Sequence, residues 1–399
     1  MLDITRLISR AGGMATGVDR VELAYLRHLM ADSVPLFAIS RTTLGYVLLG
    51  GDGLAAIAAR LTGDVPWGLP DRLSKLARRK SVPVRQAESD LRRFALDRCL
   101  PRRLAHMLTR SLPAGLSYLN TGHSNLSQRM LWTLRHHAKA RISVLIHDTI
   151  PLDYPHYQRP GTPEKFRAML RRVRSGADLI ICNSHHTQAR VTHHMQGWGD
   201  VPDMVTAHLG LDLPAVGTIP ADLTLPRQYF VALGTIEPRK GHDMLLDIWD
   251  AMAREPGATP PGLLIIGRRG WNNKAVFDRL DALPHDSAVK ELSGLPDGAV
   301  AALLAGATGL LFPSHAEGFG LPPAEAAALG IPVISSDLPV IREILADIPV
   351  YVSSTERYQW EQAIQSLLKD HGKDGMRIVG PAFIPPTWDA HFNTVLRFT

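Results

Sequence analysis

The sequence predicts an α/β protein built from two doubly wound, Rossmann-like domains, and three features point there. At 399 residues the chain is longer than one hydrophobic core usually organises. From residue 227 onward, short apolar runs alternate with helical stretches, the rhythm of a parallel sheet with crossover helices. Residues 211–226, rich in Pro, Ala, Thr and Asp, carry no periodicity and read as a linker. These features set a first domain over 1–210, the linker, a second domain over 227–380, and a closing segment 381–399 expected to pack back toward the first domain.

In the first half, strands are expected at 2–5, 35–40, 45–49, 117–120, 142–148 and 178–183, following the same winding, while 51–115 shows no clear rhythm. In the second half they are expected at 228–234, 262–267, 290–294, 308–313, 331–336 and 349–352. Helices fall between them at 241–253, 273–282, 297–305, 322–329, 339–346 and 355–370, several opened by Pro or Asp as helix starts prefer. Ligands of open α/β sheets bind beyond the carboxyl ends of the strands, so functional residues are sought there.

Composition narrows the class. No apolar run reaches the ~20 residues of a membrane-spanning helix, and 300–312 reads as a helix followed by a strand. The amino terminus lacks a signal-peptide stretch, which points to the cytosol, where Cys99 and Cys182 are free thiols. The net charge of +6 divides unevenly: residues 1–220 hold 29 Lys and Arg against 17 Asp and Glu, the rest 15 against 21. Much of the excess lies in 72–110, where Arg78, Arg79, Lys80, Arg92, Arg93, Arg102 and Arg103 stand among apolar residues. Such a segment fits an anionic membrane surface, a diphosphate-bearing acceptor or a merely solvated face. It fits nucleic acid poorly, having few aromatics for base stacking.

The most informative stretch is LLFPSHAEGFGLPPAEAAALGIPVISSD. A strand ends at Phe312, a loop carries Glu317, Gly318, Phe319 and Gly320, and a helix opens at Pro322 with Glu325 in its first turns. Main-chain amides preceding a helix lack intrahelical partners and bind anions with help from the helix dipole. Two carboxylates beside them repel a bare phosphate, so hydroxyl groups are their better targets, and a sugar nucleotide satisfies both demands. The segment EGFGLPPAE resembles the retaining family-4 glycosyltransferases of GT-B fold, whose hallmark is two glutamates separated by seven residues. That resemblance implies two Rossmann-like domains facing each other across a deep cleft. It places Glu317 against the transferred sugar and Glu325 on the ribose hydroxyls.

VALGTIEPRKGHDMLLDIW (231–249) is similar to the GT-x-E-P-R-K branch of the family, found among bacterial polysaccharide mannosyltransferases. Arg239 and Lys240 lie in its turn, where cations stabilise a departing nucleoside diphosphate. Many members carry Arg directly after the strand glycine; this chain has Thr235 there, so the role of Arg239 rests on geometry. Arg268 and Trp271, and Leu295, occupy later turns that can line the nucleotide side. From the first half, the loop with Gly17 and Val18 looks like the family's amino-terminal glycine loop, reaching across to the donor phosphates, with Arg20 as an anion contact and acceptor-side candidate. VLIHDTIP resembles its H-D-x-I-P motif; a His at the carboxyl end of a buried strand can donate a hydrogen bond to the sugar, which is the part expected of His147, with Asp148 either orienting it or lying near the acceptor. Gly122 and His123 follow another strand and are acceptor-side candidates, and Ser184 is a helix cap.

The expected reaction moves a hexose, mannose favoured, from a nucleoside diphosphate sugar to an acceptor hydroxyl with retention. GDP-mannose is the favoured donor, with UDP- and dTDP-sugars open, and no cofactor or metal is required. The acceptor is expected to be a glycan or lipid-linked chain, with the protein cytoplasmic or peripheral on the inner membrane face. Two other readings stand beside it. One is an NAD(P)-dependent oxidoreductase using the G-x-G-x-x-A at 51–56; the other is a non-catalytic sugar-nucleotide-binding protein.

Overall fold

The computed structural model describes residues 1–257, 259–372 and 382–399, so the expected boundary between 380 and 381 lies outside them. Two sheets organise the chain. The first holds β1 (Leu2–Asp3), β2 (Phe37–Thr42), β3 (Gly45–Gly50), β4 (Asp97–Cys99), β5 (Ser117–Asn120), β6 (Arg141–Ile146), β7 (Leu179–Cys182) and β8 (Asp203–Thr206), in the order β4-β3-β2-β1-β5-β6-β7-β8. Pairing is parallel from β2 through β1 and β5 to β8, whereas β3 pairs antiparallel with β2 and with β4. This departs from a uniformly wound first half for a simple reason. Only two residues separate β2 from β3, enough for a hairpin and far too few for a crossover.

The second sheet holds β9 (Tyr229–Leu233), β10 (Gly262–Ile266), β11 (Val289–Leu292), β12 (Gly309–Phe312), β13 (Val333–Ser336) and β14 (Val350–Val352). Its order is β11-β10-β9-β12-β13-β14, parallel throughout. That is the third-second-first-fourth-fifth-sixth arrangement of a dinucleotide-binding sheet, and the winding reverses between β9 and β12. Strands β10, β12 and β13 are buried along their whole length, so they read as continuous apolar runs rather than alternating ones.

β4 and β8, absent from the sequence reading, are the two edge strands of the first sheet; their DRC and DMVT sequences offer no apolar pattern to detect. β1 stops at Asp3 rather than residue 5, because the Asp3 carboxylate accepts from Thr5 N at 2.9 Å and the helix Thr5–Ser9 begins. One buried apolar cluster runs through both halves, from Leu2, Tyr25 and Ile57 to Val231, Leu310 and Ile341. The helix Trp388–Val395 crosses back to the first half. The Tyr25 hydroxyl meets His391 Nε2 at 2.7 Å, and Phe392 packs edge-on against Tyr25 and flat on His28. Among the described residues, no helix is long and apolar enough to cross a membrane.

Candidate functional site

A cavity of about 600 Å³ opens between the halves, walled by the carboxyl ends of β9, β10 and β12 on one side and of β6 on the other. The reversal point of the second sheet therefore faces it, where side chains from two neighbouring strand ends converge without a crossover helix in the way. The turn after β9 brings Arg239 and Lys240; the loop after β12 brings Glu317. Lys240 Nζ donates to Glu317 Oε1 at 2.5 Å. Arg239 reaches the same oxygen at 3.1 Å, Glu237 Oε1 at 2.7 Å and the Ala316 carbonyl at 2.6 Å.

The cluster is largely shielded: the side chains of Glu237, Glu317 and Lys240 are 3%, 8% and 9% exposed and that of Arg239 19%. Burial pushes the Glu317 carboxyl up, but Lys240 and Arg239 together outweigh it and hold it down at about 2. Burial lowers Lys240 from its ordinary value, with Glu317 pulling the other way. Arg239 is raised: burial opposes its charge, and Glu317, Glu237 and Asp148 more than restore it. Glu317 is therefore an anion clamped between two cations, able to accept hydrogen bonds and unable to give a proton near neutrality.

Beyond Glu317 the chain enters the helix Leu321–Ala328, with Gly320 as its N-cap in the left-handed region. The amides of Gly318, Phe319 and Gly320 donate to no protein acceptor among the described residues, and all three residues line the cavity with Leu321. Such free donors at a helix start form an anion site. The glycine at 318 has a further cause that the sequence did not show: a Cβ there would lie 2.5 Å from the His147 carbonyl oxygen, so the two halves touch at this point.

Glu325, one turn into that helix, is buried and raised by burial, with Arg20 opposing. Arg20 Nη1 comes from the helix Gly17–Ala31 of the first half and meets Glu325 Oε1 at 2.6 Å, an ion pair across the cavity. Gly17 and Val18 begin the same helix and line the cavity. A capping box fixes this helix start: Thr16 N donates to Asp19 Oδ2 at 2.8 Å. Asp19 also takes Arg6 and Arg10 at 2.8 Å each. Both arginines line the cavity and were missed in the sequence; the signal was their position just after β1, at the reversal point of the first sheet. Glu237 was likewise quoted in its motif but given no part.

His147 and Asp148 follow β6 and line the cavity. The carbonyl of Thr121 can only accept, so His147 Nε2 donates to it, at 2.6 Å. Burial, then the neighbouring His123, lowers the ring to about 3, leaving a neutral imidazole whose Nδ1 is an acceptor. This reverses the hydrogen-bond direction expected for His147 toward a sugar. Asp148 is raised by burial, with Arg239 opposing, and Oδ1 accepts from Ile150 N at 3.0 Å. Gly122 and His123 do not line the cavity. His123 Nε2 donates to the Leu145 carbonyl at 2.9 Å, burial lowers it to about 4, and it stands behind His147. A Cβ at Gly122 would meet the Glu22 carboxyl at 2.6 Å.

Thr235, Arg268, Leu295 and Trp271 line the cavity on the second-half side. Trp271 also closes one flank, its Nε1 donating to the Tyr157 carbonyl at 2.9 Å. Outside the cavity lining, Glu343 joins the halves, accepting from the amides of His185 and His186 at 2.7 and 3.0 Å and from His208 Nε2 at 2.8 Å. Those amides open the helix His185–Gln196, whose cap is Ser184, accepting from Thr187 N at 3.0 Å. The glycine pattern at 51–56 follows β3, an antiparallel strand two places from the reversal point, and none of it lines the cavity; the dinucleotide reading loses its structural context.

Residues 220–378 match the family described as Glycosyl transferases group 1. The Escherichia coli serotype-specific mannosyltransferase WbdA is 30% identical over 246 residues, 56% of this chain and 29% of that protein. The O-antigen chain mannosyltransferase B of Escherichia coli is 26% identical over 219 residues, 53% of this chain and 57% of that protein. The chain thus spans well under two thirds of the length of these curated relatives. Among solved structures, Anabaena Alr3699/HepE in complex with UDP superposes with a TM-score of 0.52 at 18% identity, covering 74% of this chain and 77% of that one. The OtsA apo structure gives 0.51 at 12%, covering 66% and 68%. These likenesses bear on the fold, which is the GT-B arrangement of two Rossmann-like domains.

Proposed function

We propose that this chain is a retaining glycosyltransferase that moves a hexose, mannose first, from a nucleoside diphosphate sugar to an acceptor hydroxyl in polysaccharide or glycolipid synthesis. The observation that carries the reading is the buried Lys240–Glu317–Arg239 cluster beside the free amides of Gly318 to Gly320, at the reversal point of the second sheet. The group 1 match over 220–378 and the relatives named as mannosyltransferases support it, as does the UDP held by the Anabaena protein. GDP-mannose is the donor we favour, with UDP- and dTDP-sugars as the other arms of the test.

In this reading residues 1–210 bind the acceptor, 211–226 link the halves, and 227–380 hold the donor. Glu325 grips the ribose hydroxyls once Arg20 swings from it to the phosphates. Thr235, Arg268, Leu295, Gly17 and Val18 enclose the nucleotide. Lys240 has three donors, so it can hold Glu317 and a diphosphate oxygen together. As the bond from the anomeric carbon to the diphosphate oxygen breaks, Lys240, Arg239 and the loop amides stabilise the charge gathering on the leaving group. The acceptor oxygen attacks the same face, and its proton passes to the departing phosphate. Glu317, neutralised by two cations, is a poor nucleophile and instead accepts from sugar hydroxyls. His147 Nδ1 accepts from another, and Asp148 lies on the acceptor side. The excess of cations in the first half supports a cytoplasmic protein peripheral to an anionic membrane, where a lipid-linked acceptor resides.

The test is a panel of GDP-, UDP- and dTDP-sugars with glycan and lipid-linked acceptors, scored for nucleoside diphosphate release and, by NMR, for the anomer formed. Transfer from GDP-mannose with retention is the expected result. Tight nucleotide binding without turnover on any acceptor would overturn it in favour of a sugar-nucleotide sensor.

A further inference from the structure

We propose that residues 69–82 form the element that seats the protein on an anionic bilayer, with leucines entering the interface and cations meeting the lipid phosphates; this rests on the membrane-peripheral part of the function proposed above. The segment centres on a 3-10 helix, Arg72–Ala77. In that geometry residues three apart stand in line, so the stub presents three rows. One row faces inward. Asp71 accepts from Ser74 N at 2.8 Å and from Arg92 Nε at 2.7 Å, and Ser74 and Ala77 are buried. The other two rows face outward: Arg72, Lys75 and Arg78 in one, Leu73, Leu76 and Arg79 in the other.

The outward rows have no protein partner to satisfy them. Leu69 is 79% exposed, Leu76 68% and Leu73 43%, a cluster rather than single apolar residues scattered over a surface. None of Arg72, Lys75, Arg78, Arg79 and Lys80 makes an ion pair among the described residues, and no acidic residue lies between Asp71 and Glu88. Arg92, Arg93 and Arg110, part of the same basic stretch in sequence, are by contrast paired with Asp71, Asp90 and Asp97. The folded chain therefore sorts its cations into a set paired with carboxylates, in which the Arg92 side chain is 5% exposed, and an unpaired set beside exposed leucines. Apolar side chains flanked by free cations complement an anionic lipid surface in both respects: acyl chains take the leucines and phosphates take the charges. No aromatic side chain lies within the segment to stack on nucleic-acid bases.

Its position ties it to the cavity. Helix Val82–Arg93 follows the stub, and its Pro83 lies against the loop that leads into Gly17; a Cβ at Gly12 would come within 2.5 Å of it. Arg10 and Met14 of that loop line the cavity. The stub is thus joined, through the start of helix Val82–Arg93, to a loop that lines the cavity.

The full chain is sedimented with vesicles of phosphatidylcholine and with vesicles containing phosphatidylglycerol, at low and high salt. Binding is expected to the anionic vesicles alone and to weaken with salt. Arg78→Ser/Arg79→Ser/Lys80→Ser should weaken it on the order of 100-fold, at about fivefold per cation near such a surface. Leu73→Ser/Leu76→Ser should weaken it about tenfold or more, and the emission of a Leu73→Trp variant should shift to the blue on anionic vesicles. Unchanged vesicle binding in either multiple variant, as a protein-docking role for this face would give, overturns the proposal. GDP and UDP binding is measured on every variant. Lost vesicle binding with nucleotide binding intact confirms the element as a separate surface; absence of nucleotide binding from the parent protein sinks the functional reading without touching this one.

Discussion

The two walls of the cavity balance their charges differently. On the second-half wall Arg239 and Lys240 face Glu237 and Glu317, two cations against two anions, largely shielded from solvent and linked by ion pairs. On the first-half wall Arg6 and Arg10 share Asp19, Arg20 reaches across to Glu325, and the other two carboxyl groups there, Glu22 beside Arg6 and Asp148, are pushed up by burial. The first wall thus brings surplus positive charge, and the second brings pre-set geometry. A diphosphate, carrying at least two negative charges, gains a cationic surplus only where both walls enclose it. Under the proposed function, the fine positioning of a transition state falls to the second wall and much of the attraction to the first.

The sharpest way to break that contrast is Lys240→Ala. It should lower kcat by about 100- to 1,000-fold, on the order of 3–4 kcal/mol of transition-state stabilisation, with a small change in KM, measured by steady-state nucleoside diphosphate release. Equal losses in KM alone would mean that the second wall merely binds.

The electrostatic balance of that wall is open to titration. The Glu317 carboxyl ordinarily titrates near 4.5 and is held at about 2 in the fold. Its contribution to stability is therefore present above pH 4.5 and is lost as pH falls toward 2. The gap in denaturant midpoint between the parent protein and Glu317→Gln, amounting to roughly 3 kcal/mol at ~1.4 kcal/mol per pKa unit, should close over that window. A gap independent of pH would contradict the clamped anion.

A smaller effect is expected where the walls are joined. Glu343→Gln removes the charge that caps the helix His185–Gln196 and meets His208, so the apparent melting temperature should fall by a few degrees, corresponding to about 1 kcal/mol. The radius of gyration by X-ray scattering should rise as the walls part. The smallest effect belongs to Arg20→Ala. Arg20 is one-third exposed, so its pair with Glu325 is worth no more than about 1 kcal/mol, and donor KM should change up to fivefold with kcat nearly constant. A large drop in kcat would move Arg20 into the catalytic set and blur the distinction between the walls.

The second wall was legible in the sequence because its parts are local. Glu317, the amides that follow it and Glu325 lie within nine residues, and the strand, turn and helix around Lys240 are carried by apolar periodicity and glycine. Its clearest strands, β10, β12 and β13, are buried on both faces, a requirement each meets by its own apolar composition. The first wall was less legible. Its edge strands carry no apolar pattern, and the hairpin of β2 and β3 looks like two more wound strands until pairing direction is known.

What the sequence determined by itself is the α/β class, the two-part organisation and the residue types gathered at the second sheet's strand ends, because periodicity and short-range turn chemistry act over a few residues. Only the tertiary structure decided which charges meet. Arg20 finds Glu325 more than 300 residues away, His147 turns its proton toward Thr121, Arg92 folds inward while Arg78 stays in solvent, and Gly318 is small because the other half's backbone passes beside it. The reason is physical: ionisation, hydrogen-bond direction and exposure depend on what lies within a few ångströms in space, and chain order fixes those neighbours only through the completed fold.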